Sequence, residues 1–411
     1  MIKDCVNFLQ RHVETAYLSL FALYLLSVTI NTTTFYVYYP HRIAVIIQLM
    51  TAGLLLLKIV CFDQLTAQET IWEVSLLGLV TIIALISSAH YLVVTALLII
   101  GARGVDFRRI VRVYLWLVGV VLLLAWIAAM FGVIKNITFV TTSGLRQSFG
   151  VVYTTDFAAH VFYWCCAYLY LIAKRFRVVS LIPVLAATGV IYYFTRTWTD
   201  TIAMIILIIT FLAYVYRRQL SHVKLVRVSL RYNFLAIPII SLSIIWLSAV
   251  FSYSDRVLVK LNGLLSNRLA LGNNAFLAYG VKILGQPLIP VNGWGGDRSE
   301  TFTNDLGNLT YFFIDSSFIN MLVSYGLLIT LVVVLGITVF LYLRTRKNDY
   351  LLPVIFLAIA IASAFDQHFL EVTYNVFILA SFSKLPFYQT KLKPSFNNLI
   401  VHTPKSEERS I

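Results

Sequence analysis

The chain has 411 residues; 60% are apolar and 12% are charged, about half the charged share of a soluble domain. That balance excludes both a soluble globular protein and a disordered chain. The net charge of +14 would suggest nucleic acid in a soluble protein, but here it fits the Lys- and Arg-rich cytoplasmic loops of membrane proteins. No nucleic-acid partner is expected.

A membrane span needs about 20 consecutive apolar residues, and the sequence supplies about twelve such runs. They lie near 16–30, 43–59, 71–88, 90–101, 111–133, 154–173, 178–195, 200–216, 233–251, 317–342, 351–365 and 374–388. The fourth and the last two are short. The first run starts near Ala16 without a small-residue cleavage site, so it reads as a retained span rather than a signal peptide. The predicted fold class is therefore all-α: a polytopic integral membrane protein of about 12 transmembrane helices. What is left over is too short for a separate soluble catalytic domain. Cys5, Cys61, Cys165 and Cys166 have no metal-ligand spacing and predict neither a disulfide nor a zinc site.

With the N-terminus in the cytoplasm and the spans alternating, 23 of the 32 Lys and Arg residues fall inside, among them Arg103, Arg108, Arg109, Arg112 and Lys174. Arg42, Lys135, Arg146, Arg196, Arg256, Lys260, Arg268, Lys282 and Arg298 fall outside. The positive-inside rule selects this orientation, with both termini cytoplasmic.

One outer connection, from about Ser252 to Ser316, is far longer than the rest, and loops of that length are usually functional. Its first part, through Leu261, Leu265 and Leu269, repeats apolar residues at helical spacing and predicts one or two helices on the membrane surface. The Pro- and Gly-rich stretch Gln286 to Asp297 predicts turns. The chain thus divides into spans one to nine with outer motifs near 146–160 and 196 (1–251), a large extracytoplasmic loop (252–316), spans ten to twelve (317–390) and a polar cytoplasmic tail (391–411).

No Walker loop, GxGxxG after a strand, HExxH or CxxC occurs, so no nucleotide, cofactor or metal is expected. Chemistry must come from the few charged residues at the outer ends of spans. Arg146 precedes Asp156 and His160, which share a helix face at four-residue spacing. The plain alternative is a solvated Arg and a core His. Arg196 sits between two spans with almost no loop; an Arg at that depth costs several kcal/mol unless wet or paired, and its plain alternative to a functional role is snorkelling to the head groups or pairing with Asp200. Arg268 lies on the expected surface helix. Asp315 stands where the tenth span begins, a position that also suits a helix cap. Asp366, His368 and Glu371 crowd another outer turn, and Tyr325 with Gly326 follows Asp315. Guanidinium groups bind phosphate in a fork, and a carboxylate or His nearby could remove a proton from a hydroxyl. Trp198, Trp294 and Tyr311 could stack on sugars, although aromatic residues at such positions more often anchor the chain at the interface.

Four stretches together carry a resemblance: Arg146 to Gly150 running on to Thr154–His160; Thr195-Arg196-Thr197; Asp315 to Ile319 with Tyr325-Gly326; and His368 through Tyr374-Asn375. In this order and spacing, with a long outer loop before the tenth span, the chain resembles the Wzy-type polysaccharide polymerases, in the larger group that includes the O-antigen ligases. Exopolysaccharide and capsule polymerases are the nearest likeness. The resemblance implies a metal-independent glycosyltransferase, without a cofactor, in the bacterial cytoplasmic membrane. Its substrate would be undecaprenyl-diphosphate-linked oligosaccharide, with a flippase and a chain-length regulator as partners in the same system. It implies diphosphate or substrate contacts at Arg146, Arg196, Arg268 and Tyr325. It leaves the catalytic proton acceptor open among Asp315, His160 and His368, because Asp315 stands where the ligases carry a histidine. A ligase-like transferase and a lipid-oligosaccharide transporter are the alternatives. Against the transporter, the sequence shows neither repeat symmetry nor paired broken helices.

Overall fold

The structure is a computed structural model and describes residues 2–141, 144–287, 289 and 312–385. Arg298, Trp294, Tyr311, most of the Pro- and Gly-rich stretch and the tail from Lys391 lie outside the described residues.

The chain is mostly helical: α1 (Ile2–Asn31), α2 (His41–Phe62), α3 (Ala67–Ser87), α4 (Tyr91–Gly101), α5 (Phe107–Met130), α6 (Thr154–Ile172), α7 (Ile182–Val190), α8 (Trp198–Val215), α9 (Lys224–Tyr232), α10 (Ala236–Ala249), α11 (Arg256–Leu264), α12 (Arg268–Tyr279), α13 (Ser317–Asn320), α14 (Leu327–Arg346) and α15 (Leu351–Ser363). Among the described residues nine helical segments are long and apolar enough to cross a membrane. Most bury only a quarter to a third of their apolar stretch and turn Leu49, Trp72, Leu124, Ile209 and Leu335 outward, which is lipid-facing composition. The helix from Thr154 is the exception, with 67% of its apolar window buried, and it forms the centre of the bundle. Of the one or two helices expected in the first part of the long connection, two are present: α11, capped by Asp255, and α12.

Four expectations need correction. The fourth and eleventh runs are helices of only 11 and 13 residues, about 16 and 20 Å at 1.5 Å per residue, too short for a bilayer core of roughly 30 Å. Both are almost wholly buried: they are apolar because they face protein. The last run is not an α-helix, although it carries the chain to the far end of the bundle, where Lys384 donates to the Val105 carbonyl and accepts from Phe107 N–H. Val376–Ser381 is a short 3-10 stretch, and its buried side chains pack beside α4 and α5. Hydropathy does not distinguish protein-buried from lipid-facing apolar chain, and irregular backbone is tolerated at membrane depth when protein covers it. The tenth run is broken. Ser317–Asn320 passes into a π turn at Met321–Tyr325, and α14 starts only after Gly326, at φ 95°. A side chain at Gly326 would meet the backbone of Ile283 and Gly285, where Leu327 and Leu328 donate to the carbonyls of Lys282 and Ile283. The seventh run likewise ends in a π turn, Ile191–Thr195. Helix breaks, missed in the sequence, are therefore present. Finally the fold is not purely helical: β1 (Thr138–Thr141) pairs antiparallel with β2 (Gly144–Gln147), Arg146 opposite Phe139.

Candidate functional site

The site is assembled where α1, α5, α7, α10 and α14 meet their connections at one end of the bundle. Ser317 builds its centre. Its backbone N–H donates to the Asp366 carbonyl at 3.1 Å, its hydroxyl donates to the same carbonyl, and that hydroxyl accepts from Phe369 N–H at 3.1 Å. Asn375 donates to the Phe369 carbonyl at 2.9 Å and accepts from Phe377 N–H. The turn from Asp366 to Asn375 is thereby locked, and it carries His368 into the interior, 3% exposed.

His368 is surrounded by acid. Its Nδ1 lies 3.1 Å from Glu371 Oε2, and its Nε2 lies 3.3 Å from Asp366 Oδ1 and 3.6 Å from Asp156 Oδ1. Its ring stacks on Tyr374 with centroids 3.6 Å apart, and the other face of Tyr374 stacks on His160 at 3.9 Å. His160 Nε2 is 2.8 Å from the Thr32 hydroxyl. Burial works against a charge on His368, yet Asp366, Glu371 and Asp156 outweigh it and hold the imidazole well above its ordinary value. Asp366 is itself pushed well above the usual carboxylate range by burial; His368 pulls it back, and Asp200 and Asp156 add to the rise. His368 and Asp366 thus both bind their protons more tightly than they would in water.

Beside it, Arg268 Nε sits 3.6 Å from Asp315 Oδ2 and 3.4 Å from the Phe365 carbonyl. Burial raises Asp315 and Arg268 opposes the rise. Asp315 does not cap the following helix, whose N-cap is Ser316. On the other flank Arg146 Nε donates to the Thr195 carbonyl at 2.7 Å. Arg196 closes the π turn in the left-handed conformation, φ 51°, and its guanidinium packs where a side chain at Gly144 would stand. A non-glycine residue held there is uncommon, and π turns frequently mark functional sites. Tyr153 stands between the flanks, within electrostatic reach of Arg146, Asp315, Asp156 and Arg268.

The structure therefore gathers Asp315, His160, His368, Arg146, Arg196 and Arg268 at one end. Tyr325 is less directly placed: its hydroxyl is 2.9 Å from that of Tyr91, and both phenols lie within electrostatic reach of Glu371. Asp200, which the sequence offered as one partner for Arg196, is acted on chiefly by other groups. That side chain is buried and bonded to Thr197, and the cation acting on it most strongly is Arg268. The sequence undervalued Asp156, Tyr374 and Thr32. The spacing of Asp156 and His160 was the available signal; Thr32 offered none. Among the described residues no group of three or more His, Cys, Asp or Glu is arranged to hold a metal ion.

Two clefts lie near the site, the smaller of them lined in part by Arg196. One of about 540 Å³ is largely apolar, lies between α5, α6 and α7, and ends at Asn136, Gln147, Phe149 and Phe194. The other, about 270 Å³, is lined by Tyr192, Tyr193, Arg196, Thr197, Trp198 and Thr201. The chain matches no family model, no curated protein and no solved structure.

Proposed function

We propose that the protein polymerises undecaprenyl-diphosphate-linked oligosaccharide repeat units into exopolysaccharide or capsule at the outer face of the bacterial cytoplasmic membrane. The observation that supports this reading best is the meeting of arginines and a buried acid–histidine cluster contributed by four distant stretches of sequence. In this scheme a sugar hydroxyl attacks the anomeric carbon of the donor. The bond from that carbon to the diphosphate breaks and leaves its electron pair on the diphosphate. The hydroxyl proton passes to a member of the cluster, for which Asp315, His160 and His368 are the candidates. Arg146, Arg196 and Arg268 meet the negative charge that builds on the leaving group; pre-placed donors of this kind are worth about 10²–10³ in rate each. The apolar cleft beside Gln147 would take part of the isoprenoid tail. The lipid diphosphate carries its own driving force, so no nucleotide is required. Both termini would then be cytoplasmic, with a flippase and a chain-length regulator acting alongside.

The test is the full-length protein in detergent with one synthetic undecaprenyl-diphosphate repeat unit, EDTA and no nucleotide. A ladder on a gel that is lost in Arg196→Ala supports the polymerase. No ladder from folded protein with its native repeat unit refutes it.

A second reading, a lipid-oligosaccharide transporter, gains support from the broken helices and from titratable groups at membrane depth, which often mark ion or substrate paths. Repeat units stranded inside the cell in a deletion strain would favour it; units stranded outside favour the polymerase. Loss of a ligase-like transferase would instead leave finished polymer on lipid.

A further inference from the structure

His368 has only acceptors around its two nitrogens. Nδ1 faces Glu371 Oε2, while Nε2 faces Asp366 Oδ1 and Asp156 Oδ1. An ionised carboxylate accepts and does not donate, so each ring nitrogen is matched to its surroundings only when it carries a proton. Both faces of the cluster agree. The Tyr374 ring covers His368 on one side and places His160 beyond it. Across the site stand Asp200 and Asp315, both within electrostatic reach of His368, with Arg268 the cation acting on each. The contacts of the two nitrogens differ. Nδ1 is hydrogen-bonded to Glu371. Nε2 is buried, and no hydrogen-bond geometry is satisfied there. An unsatisfied buried donor is costly and asks for an oxygen.

We infer that Glu371 is a positioning residue: by holding Nδ1 it turns His368 so that Nε2–H points between Asp156 and Asp366, and it keeps the ring a doubly protonated imidazolium. Such a ring hydrogen-bonds a substrate oxygen and does not remove its proton. Negative charge on both sides of Nε2 disfavours a phosphate there and suits a neutral hydroxyl. In the transfer reaction that hydroxyl is the sugar acceptor, and its proton goes to a carboxylate as the new C–O bond forms. Asp366 Oδ1, 3.3 Å from Nε2, is the nearest, and it replaces His368 among the candidate proton acceptors. The identification of that oxygen rests on the glycan-transfer reading; the Glu371–His368 pairing does not. The raised affinity of His368 for its proton is consistent with the geometry.

The experiment needs no substrate. The full-length chain, labelled with ¹⁵N-histidine and placed in lipid nanodiscs, is titrated by NMR, with the His368 signals assigned by their loss in His368→Gln. In the wild type both ring nitrogens of His368 should carry protons at pH 7.5. Glu371→Gln should lower the titration midpoint by about one to two pH units, the usual effect of one close opposite charge. Glu371→Asp, which keeps the carboxylate, should lower it less. A neutral His368 in the wild type at pH 7.5 overturns the inference without any variant. So does a Glu371→Gln midpoint equal to the wild type's. A raised midpoint in a chain that makes no polymer would sink the transfer reading and leave the pairing standing.

Discussion

Replacing His368 by Gln keeps most of the volume of the side chain and removes its charge, leaving Asp156, Asp366 and Glu371 facing one another in a buried space. Removing one partner of a buried ion pair costs about 3–5 kcal/mol, because the remaining charge is uncompensated; the His368 side chain is 4% exposed, so solvent offers little relief. The pH dependence follows from linkage. His368 is raised in the folded state. Its stabilising contribution is therefore complete below its unfolded value of about 6.5 and fades as pH rises through the higher folded value. Asp366 is also raised, so it too favours folding at low pH and loses that contribution as pH climbs. In the variant, Asp366 and its neighbours have no cation, and taking up protons in acid relieves them. The deficit against wild type should be widest near pH 7 and shrink toward pH 5, at up to about 1.4 kcal/mol per pH unit for each proton taken up. Cys165 and Cys166, fully buried on α6, serve as reporters: a thiol-reactive dye labels them only on unfolding. Adding Asp366→Asn should restore part of the loss at pH 7. A deficit of constant size from pH 5 to pH 8 would mean that His368 contributes shape alone, and no deficit would mean that it carries no charge.

At the opposite end of the bundle, Arg103 pairs with Glu69 at 3.0 Å and with the buried Glu73, and its carbonyl accepts from Lys58, itself 2.6 Å from Asp63. Arg103→Ala strands Glu73 and should lower stability by about 3 kcal/mol, read by the same thiol labelling. Gly326→Ala forces a Cβ to within 2.2 Å of Gly285 N at a positive φ. It should cost at least about 1–3 kcal/mol and loosen the start of α14, visible as faster amide exchange at Leu327 and Leu328. In the polymer assay Arg268→Ala should lower turnover by about 10²–10³. Arg268→Lys should recover little of that, because a point charge does not reproduce the fork. Membrane insertion should stay normal in both.

Much of the architecture is readable from hydropathy. Spans with one lipid-facing side, such as α2, α3 and α5, announce themselves because bilayer thickness imposes a length. The helices α11 and α12 were legible from the spacing of apolar residues in the long connection. The failures share one cause. α4, α15 and the stretch after Asn375 are apolar and short because they pack against protein, and a hydropathy run does not say which it meets. The breaks at Arg196 and Gly326 were hidden because a π turn has no composition of its own.

The sequence alone determined that this chain lives in a bilayer, which charges are scarce at one end, and which acids, histidines and arginines could be used there. The tertiary structure alone decided which of them meet. Asp156 and His368 are more than 200 residues apart, yet their side chains come within 3.6 Å, and Thr32 reaches His160 from the first helix. That convergence is a property of helix packing and of the buried turn that Ser317 and Asn375 fasten. Distances along a chain carry little information about either.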